Sequence, residues 1–247
     1  MMGYNHVSCG LLAGIATLPV APVSGPAAQT AWVLALGGAS LIPDLDTSGS
    51  TAARMWGPIT RPLGAAIGTL AQGRRQGTHD AVLAPAVFAG VALLASLNPV
   101  TTGAVLALTI GLALRGLALA GVGRIGAAAN LLVSAAAACA LVAAGAHQIQ
   151  LLPLVIAAGV LIHIVGDWLT TEGVPVPIAW IFGHRERLAV GLFGVNGPLE
   201  RAVVAPLLSI AGVMLLAAHL GIHDAESLVQ WCGSQLGHLP APFKQIA

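Results

Sequence analysis

The stretch Leu161-Ile-His-Ile-Val-Gly-Asp-Trp-Leu-Thr-Thr-Glu172 ends a long apolar run, and its reading decides how the rest of the chain is organised. In a helix, residues four apart are neighbours on one face, so His163 and Asp167 lie one above the other. An imidazole and a carboxylate on adjacent turns can share one divalent cation. Both groups are costly in lipid, so they are expected to face a protein interior or a wet cavity. The same pair also reads as internal hydrogen-bonded glue, or as a proton relay in a transporter. On the metal reading, the other half of the site comes from Asp44, Asp46 and His79, with His6 as a further candidate.

Working outward, the chain has 247 residues, of which 57% are hydrophobic and only 8% charged. Its mean hydropathy is +0.88. A soluble domain carries about a quarter charged residues, so this chain cannot cover a water-facing surface. The composition predicts an all-α polytopic transmembrane bundle. A net charge of +1 gives no reason to expect a nucleic-acid partner; membrane lipids are the expected surroundings. Cys9, Cys139 and Cys232 are far apart, form no C-x-x-C pair and read as small packing residues. Residues 7–23 are apolar, but no Lys or Arg precedes them, so a cleavable signal is not expected.

Hydropathy predicts about seven apolar segments, at 6–22, 27–43, 81–97, 100–121, 125–145, 151–169 and 199–220. The first two are short for a span, which needs about 17–25 residues. Pro62 to Gln72 suggests a short interfacial helix. Residues 1–220 read as one membrane domain with site motifs at 5–80 and 161–201, followed by a polar tail, 221–247, with His223, Asp224, Glu226, His238 and Lys244. Four crossings separate the polar regions 44–79 and 170–198, which places both on one side. Together they hold six of the ten basic residues, so that side is expected to be cytoplasmic. His6, Asp44, Asp46, His79, His163 and Asp167 then all fall near that face.

Pro43-Asp44-Leu45-Asp46 offers two carboxylates to a cation, or is a solvated helix-end turn. In Gly73-Arg-Arg-Gln-Gly-Thr-His79-Asp80, Arg74 and Arg75 suit either a phosphate or positive-inside anchoring. Asp80 suits a helix N-terminus as a cap. Glu200 starts the last segment, as a general base, an outer ligand or a favourable helix-end charge. His147, His184, His219, His223 and His238 have no matching spacing. There is no P-loop, Rossmann fingerprint or G-x-S-x-G motif.

In order, Asn5-His6 with Gly10, Leu41-Ile-Pro-Asp-Leu-Asp46, Thr78-His79, His163-x-x-x-Asp167 with Thr170, Gly173 and Pro175, and Asn196 with Leu199-Glu200-Arg201 resemble the LexA-regulated inner-membrane metal-dependent hydrolases of the YdjM type. The resemblance implies a multi-pass inner-membrane hydrolase. The His-x-x-x-Asp element also looks like one used by zinc-dependent phospholipases C and P1-type nucleases. Two departures stand out. The family pattern G-H-R-G-x-T-H-S has a histidine where this chain has Arg74, and the segments at roughly 100–145 look inserted.

These readings converge on metal-assisted hydrolysis of a phosphoester or other membrane-associated ester, with a lipid as one candidate substrate. His6, Asp44, Asp46, His79, His163 and Asp167 are the expected metal donors, for Zn2+ first and Mn2+ or Mg2+ otherwise. Arg74 and Arg75 would neutralise substrate charge, and Glu200 would act as base. The alternatives are a metal-ion or proton-coupled transporter, which should hold its ionisable residues near the bilayer midplane, and a catalytically degenerate structural protein.

Overall fold

The structure, a computed structural model, describes residues 1–121 and 123–237. The described residues form the α-helices α1 (Gly3–Thr17), α2 (Pro26–Ala39), α3 (Thr60–Leu70), α4 (Leu83–Ala95), α5 (Pro99–Gly116), α6 (Gly123–Leu141), α7 (Leu151–Trp168), α8 (Ala205–His219) and α9 (Ala225–Gly237). Two short strands, β1 (Val174–Pro175) and β2 (Arg187–Leu188), pair antiparallel with Val174 opposite Leu188. The mostly helical class is as expected, and α3 falls on the expected short helix. His238 and Lys244 of the tail lie outside the described residues.

The number of spans needs correction. Among the described residues, four helices are long and apolar enough to cross a membrane: Pro99–Gly116, Gly123–Ala146, Leu151–Trp168 and Glu200–His219. α1, α2 and α4 have 15, 14 and 13 residues. At 1.5 Å per residue they rise about 20–23 Å, against a hydrocarbon core of about 30 Å. Proline cuts them short, because it lacks the N–H that continues a helix and clashes with the preceding turn. Pro19, Pro22 and Pro26 bracket the α1–α2 connection, Pro43 follows the exit of α2, and Pro99 opens α5 directly after α4.

α2 is central and packs against α1, α5 and α7. Its Ala31, Ala35 and Ala39 are fully buried. Two glycines set how closely its neighbours approach. A Cβ on Gly38 would lie 1.7 Å from the Thr109 carbonyl oxygen of α5, and one on Gly159 of α7 would lie 2.5 Å from Ala39 Cβ. Lipid is as apolar as the side chains, so helix association there rests on such close packing. α8 touches α1 but has no buried residue; Leu207, Ile210, Val213 and Met214 on it are exposed, as suits a surface against lipid.

The start of α1, the exits of α2 and α7 and the approach to α4 meet at one end of the bundle. His163 of α7 reaches the Ser40 carbonyl after α2, and His6 of α1 stacks on His163. The opposite end is stitched by Gln148 and Gln150, which donate to the carbonyls of Ser24 and Pro22. At the first end, Asp80 ties the two polar regions together. Its Oδ1 accepts from the N–H groups of Val82 and Leu83, the expected cap. Its Oδ2 accepts from Ile178 N at 2.6 Å and Trp180 Nε1 at 2.8 Å. Burial would raise the Asp80 carboxyl, but these four donors hold it below its usual value.

Candidate metal centre

His163 and Asp167 share one face of α7, as their spacing requires, with His163 Nε2 3.7 Å from Asp167 Oδ2 and both side chains fully buried. The hydrogen bonds around the two central imidazoles assign their tautomers. His163 Nδ1 lies 2.7 Å from the Ser40 carbonyl oxygen. A carbonyl only accepts, so Nδ1 carries the proton and Nε2 presents a lone pair. His79 sits on the short turn Gly77–His79, with Nδ1 3.0 Å from Thr78 Oγ1. The Thr78 hydroxyl donates to Asp46 Oδ2 at 2.9 Å, so it accepts from His79 Nδ1. His79 Nε2 therefore also presents a lone pair.

These two lone pairs face each other at 3.1 Å. Asp167 Oδ2 joins them, 3.6 Å from His79 Nε2 and 3.7 Å from His163 Nε2; Arg75 Nη2 pairs with it at 3.2 Å without a hydrogen bond. Three acceptors meeting in a buried volume repel one another unless a cation sits between them. The spacing suits one: donors about 2.0–2.1 Å from a tetrahedral ion lie about 3.3–3.4 Å from each other. Burial, with His163 and Arg75 adding to it, holds the His79 pKa well below its ordinary value, so the imidazole stays in its neutral, ligating form.

Two overlapping donor groups result, each with ligand atoms within 4.8 Å of one another: His6, His163 and Asp167, and half-buried Asp44 with His79 and His163. The His6 ring stacks on His163 with centroids 3.8 Å apart. Its Nε2 is 3.2 Å from Asp167 Oδ1 but out of line, and neither ring nitrogen has a hydrogen-bond partner. The Met1 amino group also contacts Asp167 Oδ1.

The remaining expected residues stand apart from these groups. Asp46 spends its carboxylate on the Arg75 N–H at 2.7 Å, the Thr78 hydroxyl and the Thr47 hydroxyl, and faces His79 Nδ1 at 3.6 Å. It orients the His79 loop, much as outer carboxylates hold ligating histidines. Burial raises its pKa against these bonds. Glu200 is fully buried and accepts from Met2 N, Asn5 Nδ2 and Asn196 N at 2.6–2.8 Å. It fastens the start of α1 to the loop before α8 and belongs to neither donor group. Arg75 is buried, with Nη2 3.2 Å from Asp167 Oδ2 and Nη1 3.4 Å from Glu172 Oε2. Arg74, one residue earlier, is exposed and makes no ion pair among the described residues. The left-handed backbone at Arg75, φ 56°, falls where the two side chains part.

Two supports escaped the sequence reading. The Ser40 carbonyl is a backbone group and has no residue signature. The link from Asp80 to Trp180 spans a hundred residues, and only the cap half of it has a local signal.

No curated protein and no solved structure matches the chain. The N-terminal half does have a counterpart: residues 1–121, which carry His6, Asp44, Asp46, Arg75 and His79, match the family model described as YdjM inner membrane protein, the family that the sequence motifs resemble.

Proposed function

We propose that this protein is a membrane-embedded metal-dependent hydrolase of phosphoesters or related membrane-associated esters, with its site at the cytoplasmic face of the inner membrane. The observation that carries the reading is the convergence of two imidazole lone pairs and Asp167 Oδ2, which is ion-paired with Arg75 Nη2 at 3.2 Å, among buried side chains. His79, His163 and Asp167, with Asp44 and His6 beside them, would hold one or two divalent cations. The chemistry supplied by a divalent cation held there would be an acidified water and a Lewis acid for an ester oxygen. The protein's own groups do the rest. The Ser40 carbonyl and the Thr78–Asp46 pair aim the imidazoles. Arg75 sets a fixed positive charge beside Asp167, where an anionic oxygen of the substrate is neutralised. The Arg75–Glu172 pair, whose carboxylate is 56% exposed, forms the rim between the buried donors and solvent.

Arg75→Ala separates these roles. The variant should keep at least the wild-type metal content, because a positive charge beside the donors has been removed. Its turnover of phosphomonoesters or phosphodiesters should fall about 10²–10³-fold, as when one transition-state donor is lost. Elemental analysis and initial rates, with zinc and manganese supplied separately, check both halves. Unchanged turnover would remove Arg75 from the mechanism. Stoichiometric metal with no cleavage by the wild-type protein, together with His163-dependent cation flux in proteoliposomes, would replace the hydrolase by a transporter.

Sidedness has its own test. In a cysteine-free background, Ser48→Cys and His184→Cys stand at exposed positions in the two polar regions. Both should be labelled by a membrane-impermeant maleimide only from the cytoplasmic side. Labelling from opposite sides would exclude a single-faced site.

A further inference from the structure

An apolar cavity of about 460 Å³ lies between α3, α4, α5 and α7, within the range of small-molecule pockets. Its outer wall includes Leu70, Val87 and Val91, which are 80%, 59% and 58% exposed and belong to the outward apolar surface of the bundle. Its inner wall includes Ile42, Leu45 and Thr78. Ile42 and Leu45 flank Pro43-Asp44, and Thr78 both lines the cavity and holds His79 and Asp46. The groove thus runs from the surface that faces hydrocarbon to the back of the metal centre. Its rim is basic. Arg185, five residues beyond the lining Trp180, donates from Nη1 to the carbonyl of Gln72, the residue after the lining Ala71.

We propose that this groove takes one hydrocarbon chain of an anionic phospholipid, which is the substrate class of the adjacent centre; the assignment as substrate rests on the hydrolase reading above. A membrane supplies chains along the exposed wall, and nothing polar in the groove except Thr78 would need to be desolvated. Arg185, held beside the groove through the Gln72 carbonyl, matches a phosphate-bearing headgroup by charge.

The test uses the full chain in lipid nanodiscs that contain phosphatidic acid with a diazirine at the end of its acyl chain. After photolysis, mass spectrometry maps the adducts. Labelling at Val87 and Val91 should exceed that at Leu207 and Ile210 of α8 by about tenfold, as for a site favoured by ~1.4 kcal/mol over the general lipid surface. Val87→Trp, at an exposed wall position, should reduce labelling of the groove by about the same factor by filling it. Leu207→Trp should leave it unchanged. Equal labelling of α4 and α8, or groove labelling indifferent to Val87→Trp, would overturn the proposal. The readout needs no turnover. Groove labelling without any hydrolysis would refute the hydrolase reading and leave the chain-binding groove in place. Cleavage of a soluble phosphodiester with uniform labelling would do the reverse.

Discussion

Asp167→Asn is expected to abolish the proposed metal binding and the proposed hydrolysis together. The carboxylate reaches both donor groups: Oδ2 lies 3.6–3.7 Å from the Nε2 atoms of His79 and His163, and Oδ1 lies 3.2 Å from His6 Nε2. An amide of the same shape keeps the packing and loses the negative charge that offsets a cation. Losing an outer partner of a ligand costs metal affinity about 10–100-fold, so losing the ligand itself should exceed about a hundredfold. The substitution also removes the Arg75 counter-charge, but Glu172 remains 3.4 Å from the guanidinium. Thermal melting of the metal-free variant therefore separates loss of metal from loss of fold. If elemental analysis finds wild-type stoichiometry in a well-folded Asp167→Asn protein, the donor assignment is wrong.

Gly38→Ala is expected to have the largest effect on the fold. The new Cβ would sit 1.7 Å from the Thr109 carbonyl oxygen and 2.4 Å from its carbon, both backbone atoms that no rotamer change can move. α2 and α5 must separate, and overpacking of this kind costs about 1–3 kcal/mol or more. The damage should reach the site, because Ser40 is two residues beyond Gly38 and its carbonyl holds His163. A lower melting temperature in detergent and weaker retention of an added divalent metal should appear together. Gly90→Ala on α4 is the control: nothing lies within 4 Å of its Cβ position, and alanine is the better helix former. A Gly38→Ala protein as stable as Gly90→Ala would show that α2 and α5 do not depend on this close approach.

The pieces of the site legible in the sequence are those governed by local periodicity. A helix brings residues four apart onto one face, which placed His163 with Asp167. The hydropathy pattern placed the polar ends of several helices together, which brought Asp44, His79 and His6 within reach. Span lengths were less legible, because hydropathy averages over residues such as Pro22, Pro26 and Pro99 that set helix boundaries through backbone geometry.

The division of roles among the candidates was decided by contacts between distant segments. Asp44 and Asp46 look alike in the sequence, yet Asp46 is spent on Arg75 N and Thr78 while Asp44 reaches His79 and His163. Glu200 had the charge of a base, but three N–H donors from α1 and the loop before α8 fill its acceptor positions. Arg74 and Arg75 are adjacent and chemically identical, yet one is exposed and the other buried against Asp167. Composition and helical period determined that this chain is a helical membrane protein with its candidate metal donors gathered at one end. Tertiary structure decided which lone pairs point inward, because a tautomer follows from the one acceptor a ring N–H finds, and for His163 that acceptor is a backbone carbonyl 123 residues away, which no side-chain pattern encodes.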